Sequence, residues 1–127
     1  MSGTKYWTWH MAAAVVILVL LGLHMLVMHL GGTTHLFAPN GGEATSMKNV
    51  LSRDSQLFFT VTYILLLAAG LYHGFYGLRT MLFELTLKPA VETAVTVVLV
   101  ILGFGLFGLG TWAAIAAHSF ALAGGRG

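Results

Sequence analysis

The chain has 127 residues, of which 57% are hydrophobic and only 8% charged. A soluble domain carries about a quarter charged residues, so the class is integral membrane, with room for about three spans and no separate catalytic domain. The net charge of +2 is too small to suggest a nucleic-acid partner, and the absence of cysteine excludes disulfides, thiolate metal sites and iron–sulfur clusters carried by this chain. Six histidines are many for so apolar a chain, and they are its informative residues.

The first apolar run is expected to span from about residue 7 to 30, with Tyr6, Trp7 and Trp9 as an aromatic belt where it enters the membrane. It is too long for the apolar core of a signal peptide, and its end, Leu30-Gly31-Gly32-Thr33-Thr34, lacks a small-x-small cleavage pattern. It reads as a retained span that the glycine–threonine run stops. Residues 31–54 form a loop with turn chemistry at Pro39-Asn40-Gly41-Gly42 and a polar stretch, Ser46 to Asp54, able to hold a short surface helix; nothing in it looks catalytic. A second span is expected over about 56–82, and a third over about 91–117. The expected fold is all-α, with the termini on opposite sides. Lys5, Arg79 and Lys88 against Lys48, Arg53 and Arg126 leave the positive-inside count tied.

His73 lies roughly nine residues, about 13 Å, from the end of span two. Gly70, His73, Gly74 and Gly77 are spaced by threes and fours and share a helix face. Imidazoles inside a membrane are rare and usually functional. This face has space for a flat ligand, a nitrogen to bind it and, six residues on, Arg79 to pair with a propionate. The pattern therefore suggests haem ligation by His73, with the porphyrin against Gly77. The plainer reading is a small-xxx-small helix contact with a histidine hydrogen-bonded across it, and Arg79 simply snorkelling to water.

In span one, His10, Ala13, Ala14, Ile17, Leu21 and His24 form one stripe, while His29 lies about 140° away from His24. His24 is the better candidate ligand and His29 the alternative. His10 is expected at the first interface, near the level of Arg79, touching a propionate or quinone or else wetted by headgroups. His35 and His118 are expected in solvent, and a methionine axial ligand is the lesser option. Measured from the surface where span one starts, His24 lies roughly 25 Å deep and His73 roughly 13 Å. An offset of ~12 Å does not let both reach one iron, so the two should serve two haems, each with its second ligand from another chain.

The run from His73 through Gly77 and Arg79 to Glu84 resembles the H-x-x-x-G-x-R-x-x-x-x-[DE] stretch of succinate dehydrogenase and fumarate reductase membrane anchors, and Leu71-Tyr72 before it looks like the D-type anchor. Trp9-His10 and Leu23-His24-Met25-Leu26-Val27-Met28-His29-Leu30 resemble the W-x-Q…H-x-x-x-x-H-L run of anchors from two-haem enzymes. The resemblance covers roughly residues 7–30 and 50–85. His10 departs from the family's usual glutamine, and Leu85 stands where some single-haem anchors carry a quinone-contacting tyrosine, so no quinone role carries over there. The resemblance implies half of a haem-binding anchor bundle in a bacterial or archaeal cytoplasmic membrane. It implies haem b ligands at His73 and His24, two haems shared with a partner chain, quinone as substrate, and no flavin in this chain. The implied partners are a flavoprotein subunit, an iron–sulfur subunit, a second membrane anchor and membrane lipid. It also orients the chain, with the N-terminus and the Arg79–Lys88 connection on the cytoplasmic side. His73 would then serve the inner haem and His24 the outer.

Overall fold

The computed structural model describes residues 2–34, 42–43 and 45–124. Four helices follow in order: α1 (Ser2–Thr34), α2 (Met47–Asp54), α3 (Leu57–Phe83) and α4 (Pro89–Gly124). No strand occurs among the described residues. Three stretches, Gly3–Leu30, Leu57–Phe83 and Pro89–Gly124, are long and apolar enough to cross a membrane. The helices overrun the expected spans. The aromatic belt of Tyr6, Trp7 and Trp9 is already helical, and α1 continues through the Gly31–Thr34 run that was expected to stop it.

α3 is the axis of the fold. It packs against α1 on one side and α4 on another, and among the described residues α1 and α4 do not pack against each other. The α3–α4 seam closes over glycines: a Cβ at Gly110 would overlap a methyl of Leu67, and one at Gly103 would stand 3.3 Å from the Phe75 ring. Small residues let the backbones approach where lipid offers no hydrophobic drive. On α1 the inward stripe holds Ala13, Val27 and the half-buried His10, Ile17 and His24, whereas Leu21, expected on it, is exposed.

The buried apolar side chains among the described residues are small in number: Ala13, Val27 and Ala121. Large side chains such as Leu18, Phe104 and Trp112 stand outward, as a lipid-facing surface requires.

α2 occupies the polar Ser46–Asp54 stretch, with Ser46 as its N-cap residue. It inverts the pattern of a soluble surface helix. Its buried residues are Asn49 and Arg53, four apart, while Met47 is 70% exposed. Asn49 Nδ2 donates to the Glu43 carbonyl and to Ser46 Oγ, both at 3.0 Å, and so ties the incoming chain to the first turn. The imidazole of His118, expected in solvent, donates from Nδ1 to the Asp54 carbonyl at the end of α2. A helix end leaves its last carbonyls unpaired, and His118 satisfies one of them. His35 and Arg126, like the Pro39–Gly41 part of the expected turn, lie outside the described residues.

Candidate functional site

α1 and α3 run antiparallel, and their register brings His10 onto His73. The two imidazoles stack with centroids 4.0 Å apart and planes within 4°. His73 Nδ1 lies 3.2 Å from the backbone carbonyl of His10. A carbonyl only accepts, so Nδ1 carries the proton and Nε2 keeps its lone pair. Nε2 takes no hydrogen bond among the described residues. This is the state a metal-binding histidine needs: one ring nitrogen tied to a carbonyl, the other free and basic. Stacking does not obstruct it, because the lone pair lies in the ring plane and His10 covers the ring's face.

The glycines divide by what they meet. A Cβ at Gly77 would stand 3.4 Å from His10 Cε1, so Gly77 serves the α1–α3 contact. A Cβ at Gly70 or Gly74 would meet nothing within 4 Å. Glycine in a helix costs roughly 1 kcal/mol against alanine, and at these two positions no close approach within the chain offsets it. They leave a flat strip of bare backbone beside His73.

His10 therefore sits against His73, deeper than the interfacial level shared with Arg79 that its place in the sequence suggested. Its Nδ1 is buried without a hydrogen-bond partner, and Tyr76 tilts against its ring at 5.1 Å. Near the start of the helix, the Tyr72 hydroxyl donates to the Tyr6 carbonyl at 3.0 Å, a second tie between α1 and α3.

Arg79 leaves α3 toward a different neighbour. Its Nε donates to Thr96 Oγ1 on α4 at 3.0 Å, and its guanidinium lies over the Phe83 ring, 4.0 Å from the centroid. His73 turns toward α1 and Arg79 toward α4, so the structure does not bring them together.

His24 is half-buried, its ring edge-on to Tyr63 with centroids 6.0 Å apart. Tyr63 precedes His73 by ten residues, about 15 Å along α3. The two histidines thus stand at separate levels. His29 is exposed, one turn beyond Met25. Among the described residues no three histidines or carboxylates converge as they would around a metal held by this chain alone.

Sequence reasoning missed Arg53. It is 3% exposed, and its Nη2 reaches Met28 Sδ at 3.9 Å, one turn beyond His24. The i, i+4 spacing from Asn49 was the available signal, because at a membrane surface the polar face of a helix can be the inward one.

These features define an all-helical, three-span membrane subunit with a tautomerically fixed histidine beside an open glycine strip. Residues 1–107 match the model of the succinate dehydrogenase/fumarate reductase transmembrane subunit, and the chain belongs to that family. No curated protein and no solved structure matches it.

Proposed function

We propose that this anchor subunit binds haem b and passes electrons from an iron–sulfur subunit to membrane quinone, within a succinate:quinone oxidoreductase of a bacterial or archaeal cytoplasmic membrane. The observation that carries the reading is His73: Nδ1–H is held by the His10 carbonyl, Nε2 is free, and bare backbone at Gly70 and Gly74 lies beside it. His73 would ligate through Nε2. His10 would belong to the same site, orienting the ligand with its carbonyl and backing it with its ring, and Gly77 lets that ring come close. His24, packed on Tyr63 about 15 Å along α3 from His73, would ligate at a second site.

When bound, the group accepts and returns one electron at its iron, and two histidine ligands leave no open position for oxygen chemistry. The second ligand at each level would come from a second anchor chain. A flavoprotein subunit would handle succinate on the cytoplasmic side. The residues of this chain position the ligands and exclude water.

Reduced-minus-oxidised visible spectra of the purified complex test the reading. The wild type should show two b-type components, His73→Ala should lose one and keep the other, and His24→Ala should do the reverse. A complex without any b-type absorbance change would be a haem-free anchor that docks the enzyme and binds quinone alone. Loss of both components in each variant would sink the two-site assignment.

A further inference from the structure

We propose that the groove on the far side of α3 from the glycine strip binds a phospholipid, its anionic headgroup on Arg79 and its acyl chains along α3 and α4. A cavity of about 720 Å³ opens there, lined along α3 from Ala68 to Arg79 and along α4 from Thr96 to Phe107, with Gly3 and Tyr6 of α1 at its mouth. Each wall spans twelve residues, eleven helical steps, or roughly 16 Å. The groove is graded. Arg79, Tyr76, Tyr72 and Thr96 stand at the end near the membrane surface, and Phe104 and Phe107 lie deeper. Neither His10 nor His73 lines it, although Tyr76, which does, also tilts against the His10 ring; the groove adjoins the proposed haem site without sharing its ligand, and the inference does not rest on haem binding.

The charge at its mouth selects the occupant. Thr96 takes Nε of Arg79 and Phe83 supports the guanidinium plane. These contacts fix the group without neutralising it. Its two Nη atoms make no hydrogen bond or ion pair among the described residues. Glu84 and Glu92 are nearby in sequence, and neither forms an ion pair with it. A cation inside a membrane span is costly unless paired, and a fork of free N–H groups fits phosphate oxygens. The Tyr76 hydroxyl, with no hydrogen-bond partner of its own among the described residues, adds a donor three residues away. A basic pocket between spans on the cytoplasmic side is where anionic headgroups bind. A quinone fits the apolar part of the groove, but its neutral head leaves the arginine charge uncompensated, and the phospholipid is therefore the occupant assigned.

The test is electron paramagnetic resonance on the purified complex in phosphatidylcholine bilayers, doped with spin-labelled phosphatidylglycerol or spin-labelled phosphatidylcholine. One cation at the surface favours an anionic lipid by about fivefold. The wild type should immobilise phosphatidylglycerol over phosphatidylcholine by that factor. Arg79→Lys should keep the preference, and Arg79→Gln should bring the two lipids to parity. Val100→Trp, which fills the groove from a half-exposed wall position, should reduce the immobilised component for both lipids. Three results would overturn the proposal: no preference in the wild type, as when a partner's carboxylate covers Arg79; an unchanged preference in Arg79→Gln; or loss of bound quinone, rather than of phosphatidylglycerol, in that variant.

Discussion

Gly74→Leu separates what the chain needs from what its ligand needs. Among the described residues a Cβ at Gly74 meets nothing within 4 Å, so a leucine there starts into open space. Helix propensity even favours it by about 0.8–1 kcal/mol, and the helical subunit in detergent should melt at the same temperature or slightly higher. If a porphyrin lies against this strip beside His73, the same leucine overpacks the contact. Overpacking a close-packed site costs about 1–3 kcal/mol, which lowers haem retention roughly 5- to 140-fold at 1.4 kcal/mol per decade. The assay is the haem-to-protein ratio of the purified complex, followed through dilution, with co-purification of the partner subunits as control. Gly74→Ala should show the same effect at reduced size. Full haem content in Gly74→Leu would refute the reasoning. Loss of the partner chain together with the haem would instead make the strip a helix-packing seam.

Gly110→Leu should do the reverse of Gly74→Leu. Its first carbon already collides with Leu67, so it should force α3 and α4 apart and lower stability by about 1–3 kcal/mol, with Leu67→Ala restoring part of the loss in a double-mutant cycle of unfolding midpoints. His118→Ala removes the donor to the Asp54 carbonyl and should cost about 1 kcal/mol, read as faster hydrogen exchange over residues 52–56 with the spans unaffected. Thr86 adopts φ 54° in the connection between α3 and α4, a conformation that β-branched residues rarely accept; Thr86→Gly should raise the thermal midpoint, and a lowered one would count against that strain.

The spans were legible because twenty consecutive apolar residues have few other uses, and the family was legible because His73, Gly77, Arg79 and Glu84 keep a fixed spacing. What escaped was the direction each side chain takes. In a helix apolar all round, periodicity does not tell the lipid face from the packed face. The sequence places His73 and Arg79 six apart, but only the packing shows that α1 receives one and α4 the other. The placement of His10 on His73, 63 residues apart in sequence, depends on the register between α1 and α3, and local pattern does not encode it. The depth difference between His24 and His73 was legible for the opposite reason: it depends only on residue counts and helical rise. Expected as ~12 Å, it is about 15 Å counted along α3 from Tyr63, the neighbour of His24, to His73, and about 21 Å counted along α1 from His10, the neighbour of His73, to His24.

The arrangement of neighbours around α3 bears on where a second chain must sit. α1 and α4 take two sides of the helix, and the Arg79 groove opens on a third. The fourth side carries Gly70 and Gly74, where among the described residues nothing comes within 4 Å of an added Cβ. With few side chains buried, this bundle lacks the interior that a self-sufficient helical domain would have. Three outward faces of such a chain can be finished by lipid, which accepts leucine and phenylalanine. The unbonded imidazole nitrogen beside the glycines gains little from lipid, because acyl chains donate and accept no hydrogen bonds. The glycine strip is thus the side on which another polypeptide, or a flat group held between the two, has the most to contribute.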